Sequence, residues 1–288
     1  MLALVVSVDA VDAEIAADAL WSLGVVAVEE RTGTDGRIEL WTSLGDDVAS
    51  VEAALAGTLV AGCSWTFVEI DETVADSWRM HAQPTWVHDD LVVVPAWLPA
   101  QLPNRSSDGS VVIAVSIEPG STFGAGDHPT TVLSLRALRR LLRDEGSAVV
   151  AQPSVLDVGC GSGVLAVAAA LMGAQSANGI DISPAAVAIT TANAQANGVA
   201  SMVTVSNASL ADIAQSGNVY DIVVANILAP TLIELASDLV RVLADAGVLI
   251  ISGLLVDRFD HVVASLVPLR VAGVDELNGW VAITLRRR

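Results

Sequence analysis

The stretch Ser154–Gly163, Ser-Val-Leu-Asp-Val-Gly-Cys-Gly-Ser-Gly, constrains the fold more than any other part of the chain. Val155, Leu156 and Val158 are apolar and partly β-branched, as a buried strand requires. Gly159, Gly161 and Gly163 then permit a sharp turn and a close approach of backbone to ligand, with no Cβ atoms in the way. Gly163 opens the apolar run Val164–Met172, which reads as a helix whose first amides can face a cofactor. A second strand, Ala177–Ile182, carries Asp181 about 20 residues beyond the turn, where a carboxylate can accept bonds from both hydroxyls of a ribose.

Enzymes that bind NAD share this strand–turn–helix–strand–acid plan, and two features separate them from this chain. Asp157 immediately precedes the turn, and a carboxylate there repels a pyrophosphate but tolerates a cation such as S-adenosylmethionine. The glycine spacing also differs from Gly-x-Gly-x-x-Gly. Asp157-x-Gly159-x-Gly161-x-Gly163 resembles the first motif of the class I S-adenosylmethionine-dependent methyltransferases. The alternative is a plain βα turn with glycines for packing, and the acid at Asp181 weighs against it.

At 288 residues the chain suits one large domain or two unequal ones. Its 53% hydrophobic and 16% charged residues exclude a disordered chain. No apolar run is long and unbroken enough to span a bilayer, and the start lacks a basic leader, so a cytoplasmic protein is expected. Cys63 and Cys160 are expected to be reduced thiols. The four histidines lack zinc-site spacing, so no metal is expected. The formal net charge of −19, with arginine as the only basic residue, disfavours direct contact with nucleic acid and favours a basic protein partner. Solubility or a salt-adapted lineage accounts for the acidity equally well.

Residues 1–70 follow a β-α-β-β-α-β order, the ferredoxin-like plan, which marks a small interaction domain and no chemistry. Residues 71–100 read as a Trp-rich linker with Trp78, Trp86 and Trp97, packing on a domain face or lining a cleft. Residues 101–288 carry the catalytic half. After two strands, Leu91–Val94 and Val111–Ile117, the glycine-rich segment Glu118–Thr131 leads into a helix over 130–143. A doubly wound, Rossmann-like sheet of seven strands follows, ending in a hairpin over 269–285. A single helix is expected over 232–243 and another over 254–266. Asp157–Gly163, Asp181 and Asn226 fall at strand carboxyl ends, where such sheets bind ligands.

The segments Phe123–Thr131, Val155–Ala166, Gly179–Pro184 and Val224–Ala229 together resemble the PrmA family, the methyltransferases of large-subunit ribosomal protein eleven. Asn226-Ile-Leu-Ala and Gly-x-Gly-x-His-Pro-Thr-Thr are the selective features, and the likeness spans nearly the whole chain. The resemblance implies an amino-terminal recognition domain and S-adenosylmethionine as cofactor, with Thr131, Gly159, Asp181 and Asn226 as its contacts. Gly161 joins them through the turn. Asp127 stands where that family usually has threonine.

The implied reaction is methyl transfer to a neutral amine, a lysine side chain or N-terminus, of a basic ribosomal protein. Orientation of the two reactants carries most of the work. Asn226 is the catalytic candidate, orienting the amine or the cofactor. Asp127 and His128 are candidate bases, and desolvation of the amine is the alternative. Two rival readings are a same-fold methyltransferase acting on another protein, RNA or a small-molecule amine, and a binding module that holds the cofactor without turnover. The oligomeric state is not legible in the sequence.

Overall fold

The computed structural model describes residues 2–23, 25, 28–33, 36–42, 48–59, 62–69, 82–99, 101–120, 126–144 and 150–287. The chain separates into two compact units, Met1–Ala82 and Gln83–Arg288.

In the first unit, β1 (Leu2–Val8) lies between β3 (Ile38–Thr42) and β4 (Ser64–Glu69), antiparallel to both. β2 (Glu29–Thr32) borders β3, so the sheet order is β2-β3-β1-β4. With α1 (Ala13–Ser22) after β1 and α2 (Val48–Thr58) after β3, this is the ferredoxin-like plan. Leu4, Val6 and Val8 recur with the strand period of two and join Ala16, Leu20, Leu40 and Leu55 in one core. Val5 sits on the other face beside Trp41, whose ring carries the Arg31 guanidinium 4.2 Å from its centroid.

The second unit begins earlier than the sequence suggests. Residues 70–81, with Trp78 and His81, lie outside the described residues. The expected linker to residue 100 is nevertheless too long, because β5 (Thr85–His88) and β6 (Leu91–Pro95) belong to this unit. β6 pairs in parallel with β7 (Ile113–Ile117), and Val87, Leu91 and Val93 enter the unit's core with Val115 and Ile117. Four consecutive apolar residues, Leu91–Val94, need burial on both faces, which a connector does not provide.

The main sheet has the order β10-β9-β8-β11-β12-β14-β13. Its strands are β8 (Ser154–Val158), β9 (Ser176–Ile180), β10 (Val203–Ser206), β11 (Tyr220–Asn226), β12 (Leu243–Leu255), β13 (Arg270–Leu277) and β14 (Trp280–Arg286). β8 to β12 are mutually parallel, whereas β14 is antiparallel to both β12 and β13. The chain winds outward from β8 to β10, then returns to β11 on the other side of β8. Crevices for ligands open at that reversal, at the carboxyl ends of β8 and β11.

The helices are α3 (Pro129–Arg143), α4 (Val164–Leu171), α5 (Pro184–Ala196), α6 (Leu210–Ser216), α7 (Ala229–Glu234), α8 (Ala236–Arg241) and α9 (Asp260–Ser265). α3 is two-faced: Leu135, Leu138 and Leu141 are buried, whereas Arg136, Arg140 and Arg143 lie on its outer side. Arg139 of α3 makes a bidentate pair with the buried Asp90, fastening the β5–β6 turn. The helix expected over 232–243 is two helices meeting at Leu235, whose ψ of −1° departs from helical geometry. The helix expected over 254–266 shrinks to α9, because β12 runs on to Leu255 and buries Leu254 opposite Val281.

Candidate active site

All three turn glycines adopt the left-handed region: φ is 72° at Gly159, 54° at Gly161 and 78° at Gly163. A side chain at any of them would be strained. Gly159 and Cys160 donate their amides to the Ile180 carbonyl at 2.8 and 3.1 Å, tying the turn to the end of β9.

Gly163 is the N-cap of α4 and has no side chain with which to cap it. Asp157 does that work from the preceding strand: its Oδ2 accepts from the Ala166 amide at 3.2 Å. Asp157 is fully buried, and its Oδ1 has no hydrogen-bond partner among the described residues. Burial raises its pKa to about 7, the Ala166 amide opposes the rise, and the Asp181 charge adds to it. The group therefore sits beneath the turn, a partly protonated acid at neutral pH, and not as an open charge in the crevice.

Asp181 is the open acid. One oxygen accepts from the Gly161 amide and the other from the Ser183 amide, both at 2.9 Å. These two bonds orient the carboxylate between the glycine turn and the start of α5, and each oxygen keeps a further lone pair for a ligand hydroxyl. Ile182 beside it is 94% exposed, an apolar side chain offered at the crevice rim. The chain pattern contained Ile182, but nothing in composition or spacing marks its exposure.

Asn226 ends β11. Its Nδ2 donates to Thr131 Oγ1 at 3.4 Å, a contact between residues 95 apart in sequence. Two of the expected site residues are thus brought together directly. The following residue, Ile227, connects them to the turn. A Cβ on Gly159 would come within 2.6 Å of Ile227 Cγ2, and one on Gly253 within 2.5 Å of the Ile227 carbonyl oxygen. The ends of β8, β11 and β12 therefore touch in succession, Gly159 to Ile227 to Gly253. Gly161 with Asp181, and Thr131 with Asn226, are thus two directly bonded pairs, linked by the approach of Gly159 to Ile227, the residue after Asn226.

His128 is the N-cap of α3, with Pro129 at the first helical position. Its Nδ1 lies 2.7 Å from Thr130 Oγ1 and accepts from the Thr130 amide at 3.3 Å. Burial lowers its pKa, against the opposing charge of Asp127. The accepting role of Nδ1 in the neutral ring places the proton on Nε2. His128 also meets Trp280 edge-on, with ring centroids 5.1 Å apart. Asp127 is exposed. The loop residues 121–125, including Phe123 and Gly124, lie outside the described residues.

A family model described as ribosomal protein L11 methyltransferase (PrmA) matches residues 6–288. The ribosomal protein L11 methyltransferase of Citrifermentans bemidjiense is 38% identical over 217 residues, 75% of this chain and 68% of that protein. The one from Geobacter metallireducens is 43% identical over 198 residues, 68% of this chain and 60% of that protein. The one from Heliobacterium modesticaldum is 33% identical over 281 residues, 93% of this chain and 84% of that protein. A crystal structure of ribosomal protein L11 methylase from Lactobacillus delbrueckii subsp. bulgaricus superimposes with a TM-score of 0.61 at 27% identity, covering 72% of this chain and 98% of that one. A glycine turn, an acid and an asparagine gathered at the reversal of a seven-stranded sheet, together with a family match from residue 6 to residue 288, show that this chain belongs to the ribosomal protein L11 methyltransferase family.

Proposed function

We propose that the chain transfers methyl groups from S-adenosylmethionine to amines of ribosomal protein L11, on lysine side chains, the N-terminus or both. The observation that carries this reading is the succession Asp181–Gly161 and Gly159–Ile227 beside Asn226–Thr131, which supports Asp181 as the acid for a nucleoside and Asn226 as the amide that orients the amine. The residues fit the donor. Gly159 and Gly161 form a cradle without side chains, and Asp181 is held ready for ribose hydroxyls. Asp157 beneath them braces the turn through the Ala166 amide and does not present an open charge to the donor. When bound, the donor supplies an electrophilic methyl group.

The chain's own part is orientation and the handling of one proton. With Nδ2 of Asn226 directed to Thr131, Oδ1 is left to accept from the N–H of an incoming amine. An amine is protonated in water and must become neutral before it attacks. His128 is poorly placed to take that proton: its Nδ1 caps α3, and its proton sits on Nε2. Desolvation of the amine in the crevice and the exposed Asp127 are the remaining routes.

The first unit, Met1–Ala82, is the proposed substrate-recognition domain and the second, Gln83–Arg288, the catalytic one. Exposed Glu29, Glu30 and Glu69 on the first unit, within a chain of net charge −19, suit a basic protein and no direct nucleic-acid contact. The proposed compartment is the cytoplasm, and no helix among the described residues is long and apolar enough to cross a membrane. The test is incubation of labelled donor with purified L11, ribosomal RNA and metabolite pools. Label in L11 amines is expected, and label in RNA alone would overturn the reading.

A further inference from the structure

Helix α5 and its C-cap carry two buried or half-buried asparagines one turn apart, Asn193 and Asn197, and only the first reaches the donor site. Asn193 is 2% exposed. Its Oδ1 accepts from the Glu118 amide at 3.0 Å, and its Nδ2 donates to the Glu118 carbonyl at 2.9 Å and to the Ser162 carbonyl at 2.8 Å. The amide orientation is unambiguous, because a flipped side chain would face one N–H with an NH2 and two carbonyls with an oxygen. Asn197 makes the same two-way clamp on Ser116, at 2.9 and 2.7 Å, but its third bond goes to the Asn193 carbonyl of its own helix.

Ser162 lies inside the glycine turn, between Gly161 and Gly163. Glu118 lies at the exit of β7, 75 residues from Asn193. The same helix face supports both segments elsewhere. Thr190 Oγ1 donates to the Gly161 carbonyl at 3.1 Å, and a Cβ on Gly120 would come within 2.7 Å of Ile189 Cδ1. One buried side chain therefore joins the turn that cradles the donor to the segment that leads from β7 toward α3 and Thr131.

We propose that Asn193 is a positioning residue that couples the glycine turn to the Glu118–Gly120 segment, so that donor binding and ordering of that segment rise and fall together. The inference rests on the donor-site reading above. Three bonds from one buried amide carry a large desolvation penalty if any partner moves away. Movement of the turn must therefore drag Glu118, or lose the clamp.

The test uses the full-length protein and S-adenosylhomocysteine as probe. In the parent, hydrogen exchange followed by mass spectrometry should show the probe slowing exchange at Glu118 together with the 159–163 amides. No change at Glu118 while the turn becomes protected would overturn the coupling without any variant. Asn193→Ala should weaken probe binding in calorimetry about tenfold and abolish the probe-induced protection at Glu118. Asn197→Ala is the matched control: it should lower the melting temperature by a similar amount yet leave probe affinity within about twofold. Equal probe affinity in the parent and Asn193→Ala would sink the proposal. Equal losses in both variants would reduce Asn193 to ordinary stability and sink it too. A parent that ignores the probe altogether would instead refute the donor-site reading, a distinct outcome.

Discussion

The β8–β9 side of the crevice is shaped by backbone, whereas the β11–α3 side is shaped by side chains. On the first side, left-handed glycines, carbonyl-bonded amides and a carboxylate held by two peptide N–H groups define the surface. On the second, side chains pair: Asn226 with Thr131, and His128 with Thr130 and Trp280. The contrast is chemical: a donor common to many reactions can be held by main chain, whereas the acceptor must be oriented by groups particular to it. Substitutions on the first side should therefore strike donor affinity, and those on the second should strike turnover.

The largest effect is expected beneath the turn. The folded pKa of Asp157 lies near 7, above its ordinary value of 3.8. Between roughly pH 4 and 7 the unfolded chain releases this proton while the folded chain keeps it. The contribution of Asp157 to stability should accordingly fall as pH rises through that window, by on the order of a few kcal/mol, and stay flat on either side. Denaturant titrations at several pH values should show this slope in the difference between parent and Asp157→Asn. A constant difference would mean that Asp157 titrates as a solvated acid.

Next comes Gly159→Val, which places a β-branched side chain at φ 72° against Ile227. Left-handed strain and overpacking together cost about 3 kcal/mol of folding stability, and the displaced turn should raise the Kd for S-adenosylhomocysteine by about tenfold or more. An unaffected Kd would break the backbone half of the comparison. Asn226→Ala tests the other half: kcat should drop by about 100-fold while donor Kd changes less than tenfold. The reverse pattern would make Asn226 mainly a donor contact. The smallest effect is expected for His128→Ala, which removes a helix cap worth about 1 kcal/mol and leaves the acidic limb of the pH–rate profile in place. Loss of that limb would restore His128 as the base.

The same contrast governs what can be read from the chain. Turn glycines announce themselves because few other residues adopt positive φ, and Asp181 follows at a spacing set by one βαβ unit. Asn226 is legible as the end of a strand and Thr131 through family likeness; their mutual bond, across 95 residues, has no local signal. The capping role of His128 depends on a rotamer, and the burial of Asp157 depends on what covers it. Asn193 and Asn197 carry a local signal, an i, i+4 polar pair in an alanine-rich stretch, but the segments they grip have none. The Ser209-Leu-Ala-Asp212 capping box that begins α6 is equally visible as a sequence pattern. Strand order in the first unit follows from its element order, whereas the early start of the second unit required knowing what β6 packs against.

The winding of the main sheet also separates working loops from idle ones. The turns entering β9, β10 and β11, around Gly173, Gly198 and Gly217, lie at the amino ends of their strands, opposite the Gly159 and Asn226 edge, and all three glycines are exposed. A fluorophore or an epitope inserted at Gly198 or Gly217 would ride on the far rim, reporting on the molecule while leaving methyl transfer undisturbed.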